Sequence, residues 1–254
     1  MKLLTLNLHC FAEDNIKDNQ KMIADSIIEK GIDVIFFQEV AQSKHLDILA
    51  NDIKENNYAY VIKNILKEKG YDYHIHYKTG NMAFGKYDEG LAIISKTKLF
   101  DFKHFYISKT IDYNDWNTRV IVTAKTKIND KILTLTSAHL GWSNGFEVFE
   151  NQFDKLLDNL DSSDYNIIAG DFNVKAGSKE YDYVVNRGYI DTFYNDERKH
   201  FLTPTHLDDM DVQIGSNRID FIMSNRQFKL IKREIIFKES RVSDHYGVLV
   251  ELDI

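Results

Sequence analysis

Apolar residues fall mainly in short, alternating or unbroken runs of strand length, with a few helical patterns set between them. Residues 2–9, with Leu3, Leu4, Leu6 and Leu8, read as a strand. Asp18 is placed to cap a helix on which Met22, Ile23, Ile27 and Ile28 share a face, and Gly31 lies just past its end. Val34-Ile35-Phe36-Phe37 is an unbroken apolar run, the pattern of a strand covered on both faces. A second helix is expected over 58–69, and further helices over 146–160 and 179–187. Strands are expected over 71–77, 90–95, 119–127, 131–139, 165–170, 218–223, 228–237 and 246–252.

The two halves echo each other. Leu3-Leu4-Thr5-Leu6-Asn7 followed by Val34-Ile35-Phe36-Phe37-Gln38-Glu39 resembles Leu133-Thr134-Leu135-Thr136 followed by Ile167-Ile168-Ala169-Gly170-Asp171. Thirty-two positions separate Asn7 from Glu39, and thirty-two separate His139 from Asp171. The natural reading is two similar sheets packed face to face with helices outside, so that polar residues at the ends of central strands meet on one edge. With a single proline among 254 residues and no low-complexity stretch dividing the chain, one domain spanning 1–254 is expected.

Composition narrows the partners. The formal net charge is −7 and lysines are scattered singly among acids, which argues against a long polyanionic partner. A small phosphate ester remains compatible, because a bound metal supplies local positive charge. The lone Cys10 excludes an intramolecular disulfide and a multi-cysteine zinc site, and is read as a small buried residue. No apolar run reaches the ~18 residues of a membrane span, and no signal peptide is evident, so a cytoplasmic protein is expected. Nothing in the sequence fixes the oligomeric state.

Six short segments place acids, amides and imidazoles at strand signals. They are Leu6-Asn7-Leu8-His9, Gln38-Glu39-Val40, Ala138-His139-Leu140, Gly170-Asp171-Phe172-Asn173, Arg218-Ile219-Asp220-Phe221-Ile222 and Ser243-Asp244-His245. Taken singly, most are ordinary: Asn7 and Gly170-Asp171 suit turns, Glu39 suits solvent, and His139 suits a hydrogen-bonded core site. Asp220 is different, since a carboxylate amid Ile219, Phe221 and Ile222 needs a partner.

Together with Gly90-Leu91-Ala92-Ile93-Ile94-Ser95, these segments resemble, in order and over nearly the whole chain, the endonuclease/exonuclease/phosphatase (DNase I-like) superfamily. The resemblance implies an α/β fold, a four-layered sandwich of two mixed β-sheets flanked by helices. It implies a Mg²⁺ or Mn²⁺ ion held by Asn7 and Glu39 with Asp244 nearby, consistent with the oxygen ligands that hard cations prefer. Asp171 would deprotonate the attacking water and Asn173 help place it. His245, held by Asp220, would donate to a non-bridging phosphate oxygen. His139, with Glu89 as its partner, would contact the phosphate or assist the leaving group. Arg119 would touch the phosphate, or else be an ordinary surface arginine.

The segments 87–96 and Asp112-Tyr113-Asn114-Asp115-Trp116-Asn117-Thr118-Arg119, with His139-Leu140-Gly141-Trp142, are similar to the superfamily's bacterial maltose 6'-phosphate phosphatases. The chain departs from them at Ser143, where a second tryptophan is expected. A small phosphorylated sugar is therefore the expected substrate. A nuclease using the same machinery is the alternative, with a sphingomyelinase-like phosphodiesterase or a non-catalytic binding module behind it. Trp116 and Trp142 suit stacking on a sugar ring, or equally an ordinary core or rim position. The polar segment 196–217, with Asp208-Asp209-Met210-Asp211, reads as a solvated loop beside the site.

Overall fold

The fold is seen in a computed structural model that describes residues 1–142, 147–193, 205–206 and 218–254. In chain order the elements begin β1 (Lys2–Asn7), α1 (Ile16–Lys30), β2 (Val34–Ser43), β3 (Ile48–Ala50), β4 (Ile53–Lys54), α2 (Tyr58–Glu68). They continue β5 (His74–Ala83), β6 (Tyr87–Ser95), β7 (Phe100–Tyr106), β8 (Val120–Ile128), β9 (Lys131–His139), α3 (Phe149–Asp158), β10 (Tyr165–Asp171). The last are α4 (Lys179–Asn186), β11 (Ile190–Asp191), β12 (Asp220–Ser224), β13 (Lys229–Ile236) and β14 (Gly247–Asp253).

Two large mixed sheets result, ordered β13-β14-β1-β2-β6-β5 and β11-β12-β10-β9-β8-β7. Period-two alternation sorts each strand's side chains between two cores. Leu4, Leu6, Ile35 and Phe37 face α1 and α2, whereas Leu3, Val34 and Phe36 meet Val122, Leu135 and Ile167 of the other sheet. A third core, including Phe153, Leu156, Ile168 and Val184, lies between the second sheet and α3 and α4. The layers thus run helices, sheet, sheet, helices, as the expected α/β sandwich requires.

The internal echo is structural. β1 pairs parallel with β2 after α1, and β9 pairs parallel with β10 after α3. Antiparallel neighbours flank each parallel pair: β14 and β6 in one sheet, β12 and β8 in the other. The carboxyl ends of β1, β2, β9 and β10 therefore share an edge with the amino ends of β6, β8, β12 and β14.

Several boundaries differ from expectation. α1 starts at Ile16; Asn15 occupies the cap position in a left-handed conformation without a side-chain cap, and Asp18 lies in the first turn. The strand expected over 71–77 runs instead over His74–Ala83. β2 continues past its apolar run to Ser43 through an irregularity between Phe37 and Val40. The segment 196–217 lies outside the described residues except for Thr205 and His206, as does Ser143. Among the described residues no helix is long and apolar enough to cross a membrane.

Gly170 shows how tightly the second sheet is built beneath Asp171. Its φ is +153°, and a Cβ there would lie 1.8 Å from the Ala138 carbonyl oxygen. Gly170→Ala is expected to destabilise the protein by about 3 kcal/mol, because the paired strands must separate to admit one methyl group. The midpoint of urea unfolding measures it, and an unchanged midpoint would contradict this packing.

Candidate active site

Below the shared edge, polar groups stitch the sheets together. Gln38 Nε2 donates to Ser137 Oγ at 3.1 Å, and Ser137 Oγ donates to the Phe37 carbonyl at 3.1 Å. One level higher, Asn7 Nδ2 donates to both Glu39 Oε1 at 2.9 Å and Asp171 Oδ2 at 3.1 Å. Asn7 therefore ties a carboxylate of each sheet to one amide. Its own Oδ1 accepts from the His9 backbone at 3.0 Å, and Ser243 Oγ donates to its carbonyl at 2.7 Å.

Asp171 is the hub. His245 Nε2 lies 3.6 Å and His139 Nε2 3.7 Å from its Oδ2, while Oδ1 accepts from the Asn173 backbone at 2.8 Å. Burial drives the Asp171 carboxyl above the usual range; His245 opposes this and Asp220 adds to it. The two imidazoles are pushed apart. Burial lowers the His245 pKa, but Asp220, whose Oδ2 meets Nδ1 at 2.9 Å, outweighs it with Asp171 and Asp244 and raises it to about 10. Among the described residues His139 has no such carboxylate at its second nitrogen, and burial, with Arg119 and His245, holds it well below the ordinary histidine value. One histidine is poised as a cation and the other as a neutral imidazole.

Glu39 sits in the irregularity of β2 with φ +49°, and the bulge turns its side chain into the cleft. Glu89, on β6, is a correction to expectation. It is not paired with His139; it accepts from Cys10 Sγ at 3.4 Å and lies beside Glu39 in the first sheet. The reason is register: Glu89 pairs with Ala41 and Asn81, on the far side of the cleft from β9. Burial and then the Glu39 charge drive the Glu89 carboxyl upward, with Arg119 opposing. Two carboxylates crowded on a cleft wall are relieved by a bound cation. Oxygen donors of this kind suit Mg²⁺ or Mn²⁺, so the residues fit the implied ion. Asp244 lies across from them, with Oδ1 3.5 Å from His9 Nδ1 and Oδ2 3.7 Å from His206 Nε2. Burial raises its pKa, but His206, His245 and His9 outweigh this and lower it to about 2. Burial, with Glu89 and Glu39 nearby, raises the Cys10 thiol far above its ordinary value, and it stays a buried, protonated neighbour.

Glu39, Glu89, His139, Asp171, Asp244 and His245 line an open cleft of about 450 Å³, with Asn7 and Asp220 buried behind it. Arg119 is not a surface arginine: only 8% exposed, it donates from Nη1 to the Trp116 carbonyl at 2.7 Å, and its Nε has no partner among the described residues. Trp116 (64% exposed) and Trp142 (44%) stand on the rim, as does Phe84 (67%). Asn173 lies inside, with Nδ2 on the Leu140 carbonyl at 2.8 Å. Sequence reasoning missed His9, Asn81, Phe84 and His206 as cleft residues. His9 follows a strand directly and Phe84 precedes Gly85 in a turn, both readable signals. His206 gives none, because it reaches the site through an isolated bridge to His245, with the rings 4.7 Å apart.

The chain matches the Endonuclease/Exonuclease/phosphatase family over residues 4–245, and it belongs to that family, whose members hydrolyse phosphoesters. Among curated proteins no match was found. A solved endonuclease/exonuclease/phosphatase family protein from Leptotrichia buccalis C-1013-b is 29% identical, with TM-score 0.91 and 100% of both chains covered. A mannosyl-6-phosphatase from Bacteroides thetaiotaomicron VPI-5482 is 18% identical, with TM-score 0.69 over 100% of both chains. TDP2 of D. rerio, solved with a single strand DNA product, is 16% identical, with TM-score 0.70 over 100% of this chain and 99% of that one. The last two likenesses are of fold.

Proposed function

We propose that this protein is a divalent-cation-dependent phosphomonoesterase that releases phosphate from a small phosphorylated sugar. One observation carries the reading. The imidazoles of His139 and His245 and the Asn7 amide that also holds Glu39 all converge on one buried carboxylate, Asp171.

Glu39 and Asn7, with Asp244 nearby, would hold the cation, which when bound screens the phosphate charge and makes phosphorus more open to attack. Asp171 takes a proton from water as its oxygen bonds to phosphorus, and Asn173 helps place that water. His245 donates to a non-bridging oxygen as negative charge grows there, with Asp220 fixing its ring. His139 donates from its neutral ring to the phosphate or toward the leaving oxygen. The phosphorus–oxygen bond to the sugar breaks in line, the departing alkoxide takes a proton from solvent, and Asp171 returns its own proton to solvent.

The preference for a small monoester rests on charge. Among the described lining residues, Arg119 is the one permanent cation, so the described lining offers no row of cations for the successive phosphates of a nucleic acid. A screen of phosphorylated sugars against plasmid, abasic and single-stranded DNA, with Mg²⁺ and with Mn²⁺, tests this. Turnover of the sugars is expected; cleavage of DNA alone would reverse the assignment. Glu39→Gln is expected to raise the metal concentration for half-maximal activity by at least about tenfold, since a charged ligand is lost. An unchanged metal dependence would remove Glu39 from the cation site.

A further inference from the structure

Resting on the sugar-phosphate reading above, we propose that Phe84 and Trp116 form an aromatic wall that receives the apolar face of the sugar ring, and that Tyr113 and Asp88 hold this wall in place. Both aromatics are largely exposed, yet both line the cleft. Phe84 occupies a tight turn at φ +51°, a conformation that costs energy in a bulky residue and gains no burial in return.

The wall is built from two segments locked from behind. The Met82 backbone donates to the Tyr113 carbonyl at 2.7 Å, joining the β5–β6 hairpin to the loop that precedes β8. Tyr113 Oη donates to Asp88 Oδ1, and Asp88 Oδ2 meets Lys54 Nζ at 2.8 Å and Gln42 Nε2 at 3.3 Å. The Trp116 carbonyl accepts from Arg119, so the aromatic face and the phosphate-facing cation share one mount. Directly before the tryptophan, Asp115 caps the turn by accepting from the Asn117 backbone at 2.9 Å.

The neighbours of the wall suit carbohydrate. Asn81 lines the same cleft and brings an amide within reach of ring hydroxyls, while the flat rings cover the C–H face. A nucleobase would also stack, but its chain would carry further phosphates past Glu39 and Glu89, where no second lining cation is described.

Steady-state kinetics on glucose 6-phosphate and maltose 6'-phosphate, with glycerol 3-phosphate as a ringless control, tests the proposal. Phe84→Ala and Trp116→Ala are expected to raise KM for the sugar phosphates about tenfold while kcat stays within about threefold, and to leave glycerol 3-phosphate unaffected. Trp116→Phe should restore most of the affinity. Tyr113→Phe, a positioning change, should raise the same KM without lowering kcat. In Trp142→Phe, Trp116 is the remaining tryptophan, and its emission should respond to glucose 6-phosphate but not to glycerol 3-phosphate. Equal losses on ringed and ringless esters, or an unchanged KM on both sugars, would overturn the wall while the phosphomonoesterase reading stood. A wild-type protein active on oligonucleotides and on no monoester would overturn both, and is recognised before any variant is made.

Discussion

Asp171→Asn leaves about one-thousandth of the wild-type kcat and an essentially unaltered fold. The expected loss is that of a general base, typically 10²–10⁴-fold, because asparagine cannot accept the proton of the attacking water. The effect on stability is small because two changes oppose each other. Asparagine presents one acceptor where Asp171 now serves both the Asn173 backbone and Asn7 Nδ2, so a hydrogen bond of about 1 kcal/mol is lost. Against this, the substitution removes a carboxylate that burial already strains toward its neutral form. The unfolding midpoint of the metal-free variant is expected within a few degrees of wild type, and kcat with saturating Mg²⁺ reads the catalytic loss. A variant that kept a tenth of wild-type kcat would remove Asp171 from the role of base.

The legible parts of the molecule were those whose burial imposes a period. Leu3 to Leu8 and Val34 to Phe37 alternate between two cores, so the strands, the layers and the convergence of their ends followed from pattern. The unread parts lack such a constraint. β7 carries Phe100 and Phe102 exposed at the sheet edge beside charged residues, and no buried face repeats along it. The start of α1 was misplaced because Asn15 caps it through backbone geometry instead of the side-chain bond that Asp18 seemed suited to make. Within the site, residue types are readable and so is the pairing of His245 with Asp220, whose carboxylate lies in an apolar strand, but the partner of Glu89 is not. The pattern suggests a histidine partner for Glu89, and only the sheet reveals that it lies beside Glu39 and Cys10 instead. The place of Arg119 has no local sequence signal because its burial depends on the loop that carries Trp116. Glu39 holds a positive φ that glutamate seldom adopts, so nothing in its neighbourhood announces the bulge, whereas His9 and Asn173 are of types that enter this region more readily.

The pair Asp220 and His245 separates positioning from simple charge. Both side chains are almost wholly buried, and Asp220 Oδ2 is the contact that opposes the cost of burying a protonated ring. Asp220→Ala leaves that ring without its counter-ion and opens space in a strand, so a loss of about 3 kcal/mol is expected. Asp220→Asn keeps the volume and a contact to Nδ1 but not the charge, and should destabilise less. In catalysis the order of severity changes. Both variants lose the anion that keeps His245 cationic at the growing charge on phosphate, so kcat should fall about 10²–10³-fold in each while KM changes little. Comparing the two variants by urea unfolding and by kcat therefore tests whether the interaction works through charge or through packing. If Asp220→Asn turned over substrate like wild type while Asp220→Ala did not, shape and not charge would be the contribution of Asp220, and the electrostatic role given to His245 would have to be abandoned.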